Sequence, residues 1–251
     1  MINEIYTGTS NVELPVPNKQ SFPLEFQDKS RLTYYASLFN TVEINSSFYK
    51  VPMAKTVAKW ADNVPPDFKF TFKLWQDITH AKSCNYNPDE IERFIHIINH
   101  VGNKKGCLLV QFPPSFAFDK IVQLQSLVID IRQADPEQKW KVAIEFRNRS
   151  WYQESVYELL AQYNLGMVIQ DMPASATPLM ESTTDFVYLR FHGPEGRYKG
   201  SYEDDFLYEY AQYIKEWQAD DKTVYVYFNN TAGGAVQNLM TLNSFLNQAE
   251  L

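Results

Sequence analysis

Eight short strand-like segments, most of them separated by a helical segment, constrain the fold of this chain more than any other feature of its sequence. Each has alternating or continuous apolar residues over the length of a β-strand. The segments are residues 4–8, 41–48, 68–73, 107–112, 141–146, 166–170, 186–192 and 223–228. Strands that alternate with helices pair in parallel through right-handed crossovers. The count of eight predicts a closed (β/α)₈ TIM-type barrel, with an open doubly wound sheet as the alternative.

The segments between these strands carry helix signals. Asn87-Pro-Asp-Glu90 combines a capping residue, a proline at the first helical position and an acid at the third. Helices are predicted at residues 30–39, 54–62, 87–98, 119–132, 151–164, 203–218 and 234–247. The sixth unit is the weakest, because residues 171–184 contain two prolines and little helical periodicity.

Length and composition favour one large domain. No linker, low-complexity tract or block of like charge divides the 251 residues, so a single domain is predicted over residues 1–251. One barrel of this type usually has about 250 residues. The 17 Phe, 16 Tyr and 5 Trp supply a large apolar area to bury. The net charge of −7 argues against a protein that coats nucleic acid or an anionic membrane, since both need broad positive surfaces.

The sequence favours a cytoplasmic location. Cys84 and Cys107 are the only cysteines, too few for a disulfide framework. The N-terminus lacks an apolar signal region, and no apolar stretch reaches the roughly 18 residues that a membrane span needs. A membrane partner is therefore not expected.

Polar side chains recur at the C-terminal ends of the predicted strands. In a barrel, alternate side chains face the helices and the axis, so turning the apolar set outward leaves a polar set inside. That set comprises Glu43, Asn45, Lys73, Gln111, Glu145, Arg147, Arg190, His192, Tyr227 and Asn229. Active sites of barrel enzymes lie at this face, and burying so many polar groups is costly unless they bind something. Mutual ion pairing is the alternative explanation for any single member.

Two loops at this face indicate that the ligand is an anion. After strand eight, Gly233 and Gly234 open the last helix, whose N-terminus favours negative charge. The loop after strand seven supplies Arg197 and Lys199. We expect a small anion, a phosphate or a carboxylate, as the ligand. The predicted binding residues are Asn45, Lys73, His80, Gln111, Arg147, Arg190, Tyr198, Tyr202, Tyr227, Asn229, Gly233 and Gly234.

Phosphoester chemistry fits these residues best. Glu43, Glu145 and His192 are the candidate catalytic acids and bases, because His titrates near neutral pH. The predicted activity is that of a hydrolase or lyase acting on a phosphorylated small molecule or nucleotide. Tyr198 and Tyr202 would close over the bound group.

The cofactor expectation is limited. A single Mg²⁺ or Mn²⁺ on Glu43, Glu145 and Asp171 is compatible with the preference of these ions for oxygen ligands. A multinuclear zinc site fits poorly, because the chain has four histidines. No nucleotide cofactor is expected, since the glycine patterns of Walker and Rossmann sites are absent.

Two other functions stay open. The same pocket suits a binding module that captures a nucleotide, a sugar phosphate or a nucleic-acid end without turnover, although the net charge disfavours nucleic acid. Glycoside hydrolysis is the second alternative, with Glu43 and Glu145 as the paired carboxylates. Loss of turnover with retained binding in His192→Ala would distinguish an enzyme from a binding module.

Several motifs together resemble the YecE-like family, a domain of unknown function. Its signature is similar to Tyr34-Tyr-Ala-Ser-Leu-Phe-Asn-Thr-Val-Glu-Ile-Asn-Ser-Ser-Phe-Tyr49. Further matching blocks are Ile78-Thr-His80, Val110-Gln-Phe-Pro-Pro-Ser115, Ala143-Ile-Glu-Phe-Arg147 with Trp151, Arg190-Phe-His-Gly193 and Tyr227-Phe-Asn-Asn230. The blocks follow the family's order and cover nearly the whole chain. The resemblance implies a TIM-type barrel and no particular activity. The chain departs from the family's opening Gly-Thr-Ser-Gly-aromatic pattern at Gly8-Thr-Ser-Asn-Val12, which affects the loop over the site rather than the fold.

Overall fold

Eight parallel strands form one sheet in the order β1-β8-β7-β6-β5-β4-β3-β2. The computed structural model describes residues 4–179 and 182–248. The strands are β1 (Ile5–Thr9), β2 (Thr41–Ile44), β3 (Lys69–Lys73), β4 (Lys105–Gln111), β5 (Lys141–Glu145), β6 (Gly166–Gln170), β7 (Phe186–Phe191) and β8 (Thr223–Phe228). The predicted barrel is confirmed. The doubly wound alternative is wrong, because sequential neighbours pair throughout and the order has no switch point.

Helices connect most of the strands. They are α1 (Arg31–Leu38), α2 (Ser46–Tyr49), α3 (Ala54–Asp62), α4 (Gln76–Thr79), α5 (Pro88–Ile98), α6 (Ile121–Ala134), α7 (Glu154–Gln162), α8 (Asp204–Ala219) and α9 (Ala235–Leu246). The short helices α2 and α4 were not predicted. Between β6 and β7 the described residues form no helix, in keeping with the two prolines there. Residues 180 and 181 of that stretch, and residues 1–3 and 249–251 of the predicted domain, lie outside the described residues. Within the described ranges, no helix combines the length and apolarity that a bilayer crossing requires.

Alternation along the strands separates two apolar cores. The outward-facing residues, such as Val42 and Ile44 on β2, pack against the helices. The inward-facing residues fill the barrel, and they are Tyr6, Cys107, Leu109, Ala143, Val168, Phe186, Tyr188, Tyr225 and Tyr227. The interior is therefore a packed core, and the charged side chains lie beyond it at the C-terminal ends of the strands.

Strands β1 and β2 meet at a seam with a single backbone bridge. That bridge joins Ser10 to Glu43, just past the end of β1. Gly8 allows the two strands to approach, because a Cβ at this position would lie 2.2 Å from the carbonyl oxygen of Thr41. The close contact makes any larger residue at position 8 incompatible with this seam.

Side chains supply the hydrogen bonds that a continuous ladder would otherwise make. The Tyr35 hydroxyl accepts from the Thr9 amide at 2.8 Å and donates to the Thr41 carbonyl at 3.0 Å. The side-chain amide of Asn40 bonds to β1 in the same way. It accepts from one backbone N–H of this strand at 2.9 Å and donates to one of its backbone carbonyls at 2.8 Å. Residues from α1 and the turn after it therefore close the barrel.

Replacement of Tyr35 by Phe tests this closure. The Thr9 amide and the Thr41 carbonyl would lose their shared partner, and an unsatisfied buried polar group costs about 1–3 kcal/mol. We expect Tyr35→Phe to lower the free energy of unfolding by about that amount in urea denaturation. Tyr34→Phe is the matched control, because the Tyr34 hydroxyl has no hydrogen bond to a described residue and its ring packs on Phe22. Equal losses in the two variants would contradict the role assigned to Tyr35.

Candidate functional site

Arg190 is the centre of a buried charged network at the C-terminal ends of the strands. It lies on β7 and is 1% exposed. Its Nε and Nη2 atoms donate to the Glu43 carboxylate of β2 at 3.0 and 2.8 Å. Its Nη1 atom donates to the Glu145 carboxylate of β5 at 3.1 Å. Both carboxylates are 0% exposed, so their charges depend on this guanidinium rather than on water.

Glu43 has two further donors. The Ser10 hydroxyl donates to Oε1 at 2.5 Å, and the Tyr188 hydroxyl donates to Oε2. Ser10 follows β1, and Tyr188 lies on β7 two residues before Arg190. Glu43 therefore accepts hydrogen bonds from three side chains, and the network joins both sides of the seam.

Arg147 extends the network from β5 to His192. Its Nη2 atom pairs with the Glu145 carboxylate and donates to His192 Nε2 at 2.8 Å. Arg190 Nη1 donates to the same ring nitrogen at 2.9 Å. Nδ1 lies 3.2 Å from an Asp171 oxygen, which assigns the ring proton to Nδ1 and leaves the ring neutral. Burial, reinforced by the positive charges of the two arginines, lowers the pKa of His192 to about 3.

Asp171 joins the end of β6 to the loop after β7. Its carboxylate accepts from the His192 amide at 2.8 Å and from the Tyr202 hydroxyl. The Tyr202 oxygen in turn accepts from the Gly193 amide at 2.5 Å. Tyr202 is buried beneath the loop, whereas Tyr198 is 44% exposed and its ring contacts the His192 ring edge-on. Of the two predicted closing tyrosines, Tyr198 is the one at the surface of the mouth.

Lys73 ends β3 beside this network and is 7% exposed. Its Nζ atom has no hydrogen bond and no carboxylate partner among the described residues, and lies 4.0 Å from the centre of the Phe48 ring. Burial, followed by the positive charge of Arg190, lowers the pKa of Lys73 to about 7. The amine is therefore partly protonated and partly neutral near neutral pH.

The unpredicted helix α2 places Phe48 against this amine. The hydroxyl of its neighbour Ser47 contacts the carbonyl oxygens of Ile44 and Lys73 at 2.6 and 2.7 Å, so α2 is tied to the ends of β2 and β3. The His80 ring packs edge-on against the same Phe48 ring, with the ring centres 4.9 Å apart. Burial and then the charge of Lys73 lower the pKa of His80 to about 4. His80 thus lies at the rim, close to Lys73.

Three other predicted residues line the mouth. Asn45 accepts from Arg190 Nη2 at 3.4 Å and donates to Asn229 at 3.5 Å. Gln111 is 8% exposed, and its amide nitrogen donates to the carbonyl of Phe112 at 2.7 Å. These amides surround the charged groups with neutral donors and acceptors.

The remaining predicted residues lie away from the mouth. Tyr227 is buried in the barrel below the charges, where its hydroxyl contacts two threonine hydroxyls at 2.8 and 2.7 Å. The amide of Gly233 donates to the Asn230 carbonyl at 2.8 Å, and the amide of Gly234 donates to the Gly200 carbonyl at 2.9 Å. These two N–H groups therefore point at backbone oxygens, one in the same loop and one in the loop that follows β7.

Sequence reasoning missed Ser10, Phe48 and Tyr188 as members of the site. The signal for Tyr188 was present, because it alternates with Arg190 and His192 on β7 and must face the same side. No comparable signal marked Ser10, whose contact with Glu43 depends on the seam. The position of Phe48 depends on a four-residue helix too short to recognise from periodicity.

Metal ligation receives little support from the site. Within residues 4–179 and 182–248, no group of three or more His, Cys, Asp or Glu side chains has the arrangement of a metal site. Glu43 and Glu145 accept from Arg190, and Asp171 accepts from Tyr202. A divalent ion on these three carboxylates would have to displace protein donors.

Comparison with known proteins identifies the family. A family model described as "Protein of unknown function DUF72" matches residues 6–251. The chain belongs to the DUF72 family. The UPF0759 protein YunF of Bacillus subtilis (strain 168) is 28% identical over 245 residues, which is 85% of this chain and 85% of YunF. The UPF0759 protein YecE of Escherichia coli (strain K12) is 29% identical over 85 residues, 34% of this chain and 31% of YecE. The resemblance found in the sequence motifs is thus confirmed.

Two solved DUF72 structures have the same fold. One from Thermotoga maritima is 26% identical and covers 98% of this chain and 100% of that chain, with a TM-score of 0.76. One from Enterococcus faecalis is 22% identical and covers 98% and 97%, with a TM-score of 0.77. The DUF72 barrel is therefore established for the full length of the described chain.

The neutral state of His192 predicts a dependence of stability on pH. The unfolded chain binds a proton at His192 near pH 6.5, whereas the folded protein binds it only near pH 3. Between these values the unfolded state holds more protons, so the contribution of His192 to stability is complete above about pH 6.5 and falls on acidification, by up to about 1.4 kcal/mol per pH unit. Urea denaturation at about pH 7, 6 and 5 measures this slope. These values lie above the pH range in which most carboxylates titrate.

Two variants test whether His192 causes this dependence of stability on pH. His192→Gln should reduce it by about half between about pH 6.5 and 5, because His80, whose pKa is also lowered, to about 4, still contributes. His96→Gln, at an exposed position on α5, should leave it unchanged. An unchanged slope in His192→Gln would contradict the neutral, buried state of this ring.

Proposed function

We propose that this protein binds a small phosphorylated or carboxylated compound at the mouth of the barrel and catalyses a lyase or phosphoester-hydrolase reaction on it. The observation that carries the proposal is the amine of Lys73. It is nearly buried at the C-terminal face, and no described residue offers its Nζ atom a hydrogen-bond acceptor or a salt bridge.

The pairing of charges at the mouth supports an anionic ligand. Arg147 and Arg190 pair with the two fully buried carboxylates, whereas Lys73 makes no salt bridge to a described residue. The donors of Arg190 are used by those carboxylates, so Arg190 acts on a ligand through its positive charge rather than through hydrogen bonds. Arg147 Nε is a buried donor with no acceptor among the described residues. An anion at the mouth would supply the acceptor that Lys73 Nζ lacks.

The loop that follows β7 has a small net positive charge. Arg197, Lys199 and Glu195 are exposed in it, which gives a net charge of +1. Clustered positive charge at the entrance of a site raises the local concentration of anions even on a protein whose net charge is negative. The net charge of −7 therefore does not conflict with a small anionic ligand, although it disfavours a nucleic acid.

Proton transfer at this mouth falls to Lys73. Burial raises the pKa of Glu145, but the charges of Arg147 and Arg190 outweigh that effect and hold it below its ordinary value. His192 is neutral, and its Nε2 lone pair is taken by both arginines. A base works best when its pKa lies near the working pH, and Lys73 titrates at about 7. This favours a lyase, in which a base removes a proton from carbon, over a hydrolase.

Capture without turnover is the second candidate. The saturation of Glu43, Glu145 and His192 by protein donors favours it, because each of these groups already has a structural role. Glycoside hydrolysis is less well supported. A glycosidase acid needs a raised pKa, whereas that of Glu145 is lowered, and both carboxylates bind one guanidinium.

Sulfate binding by calorimetry tests the anion site. We expect Lys73→Met to weaken sulfate binding at least tenfold, because hydrogen bonds to charged groups contribute about 1.5–3 kcal/mol. Bound sulfate should also raise the pKa of Lys73, so binding at about pH 8 should take up protons, measured in buffers of different ionisation enthalpy. Sulfate itself does not titrate there.

The matched control is Lys69→Met. Lys69 begins the same strand at the opposite end of the barrel, where its amine donates to the Asn103 carbonyl. This variant should bind sulfate as the wild type does, with the same proton uptake. Equal sulfate affinity in Lys73→Met and the wild type would contradict the proposal.

A further inference from the structure

We propose that Lys73 forms an imine with the aldehyde or ketone group of a small compound that also carries a carboxylate or a phosphate. The inference rests on the proposed function to this extent: the anion site holds the charged group of the same substrate. It names the reacting residue, the bond that forms and the chemical class of the substrate.

The amine of Lys73 is free where the other lysines with buried or partly buried amines are engaged. Lys104 Nζ donates to two carbonyl oxygens at 2.5 and 2.8 Å, Lys222 Nζ donates to two at 2.6 and 3.1 Å, and Lys141 Nζ pairs with Asp185 at 2.6 Å. Lys73 Nζ has no such acceptor within the described residues. A lysine held ready as a nucleophile needs its lone pair free, and Lys73 meets that condition.

The amine is also reachable. Lys73 retains 7% of its surface, and Nζ is not among the fully buried polar atoms without a hydrogen bond. Since Nζ has no hydrogen bond to a described residue, it must contribute to that exposed surface. A compound entering the mouth can therefore contact the amine directly.

The surroundings keep a large fraction of the amine neutral. The Phe48 ring covers one side of it, and the guanidinium groups of Arg190 and Arg147 lie close enough to disfavour a third positive charge. Desolvation and a neighbouring cation are the two means by which enzymes activate a lysine as a nucleophile. The lowered pKa of about 7 agrees with this geometry.

The reaction balances with water as the only by-product. The lone pair of Nζ adds to the carbonyl carbon, and the C=O π electrons move to oxygen, which takes a proton. The nitrogen then loses one proton and the hydroxyl takes a second, so that the C–O bond breaks with release of water and the nitrogen lone pair forms C=N. In sum, one neutral amine, one carbonyl compound and one proton give one iminium ion and one water.

The site suits the iminium product as well. The new positive charge lies near Glu145, whose negative charge acts on Lys73 in the direction that stabilises a cation. The positive charge of Arg147 also acts at Lys73, so it favours the carboxylate or phosphate of the same compound. An iminium withdraws electrons from the adjacent carbon, so a C–H or C–C bond there can break, which is lyase chemistry.

Reductive trapping tests the imine in the wild-type chain. The protein is incubated separately with pyruvate and with dihydroxyacetone phosphate, each with sodium cyanoborohydride, then digested and analysed by mass spectrometry. The hydride reduces the iminium to a secondary amine, so the labelled peptide gains the mass of the probe less one oxygen. We expect Lys73 to be labelled at least about tenfold faster than Lys69, since each unit of pKa changes the neutral fraction of an amine about tenfold. The two probes distinguish a carboxylated from a phosphorylated substrate.

A second variant separates this inference from the anion site. Lys73→Arg keeps a positive charge and should bind sulfate within a few-fold of the wild type, but it cannot form an imine and should lose the label at position 73. Sulfate binding without labelling of Lys73 by either probe would overturn the imine and leave the anion site standing. Absence of both sulfate binding and labelling would overturn both proposals. Labelling spread evenly over the surface lysines would also overturn the imine.

Discussion

The guanidinium of Arg190 and the two buried carboxylates that it joins are the interaction on which the upper half of this barrel depends. Removing either partner of such a pair would leave an unpaired charge in the interior, which costs about 3–5 kcal/mol. Glu43 and Glu145 come from β2 and β5, and Arg190 comes from β7. The network therefore requires a closed barrel, and the seam between β1 and β2 must hold Glu43 in register. The Ser10 bridge, Tyr35 and Asn40 maintain that register.

The network also divides the polar ring into two kinds of residue. Arg190, Glu43 and Glu145 satisfy one another and form a fixed field. Lys73 lies in that field without a partner among the described residues, so burial and the field act on its proton. Residues with the same formal charge thus differ in function because of their partners. The chemistry of the mouth follows from the group that the network leaves free.

The sequence predicted the barrel because the count of strands and the alternation along each of them are local properties. The same alternation brought Glu43, Glu145 and Arg190 to one face. Alternation did not show how far along the barrel axis each side chain lies. Tyr227 and Asn229 alternate in the same way, yet the hydroxyl of Tyr227 lies in the packed interior and Asn229 lies at the rim.

The sequence also did not show which polar groups pair with each other, because pairing depends on contacts between distant segments. Arg190 and Lys73 look alike as cations at the ends of strands, but one is saturated and the other has no partner among the described residues. Gly233 and Gly234 resemble an anion-binding helix start, whereas their amides donate to backbone carbonyls of Asn230 and Gly200. Neither fact follows from spacing along the chain.

The most direct test of the central claim is the titration of Lys73 by NMR, with the ¹³Cε signal assigned by its loss in Lys73→Met. A desolvated amine beside two arginines should titrate with a midpoint at about pH 7 in the free protein. A midpoint near the ordinary lysine value of about 10.4 would show that the amine is neither desolvated nor influenced by the arginines, and would contradict the account.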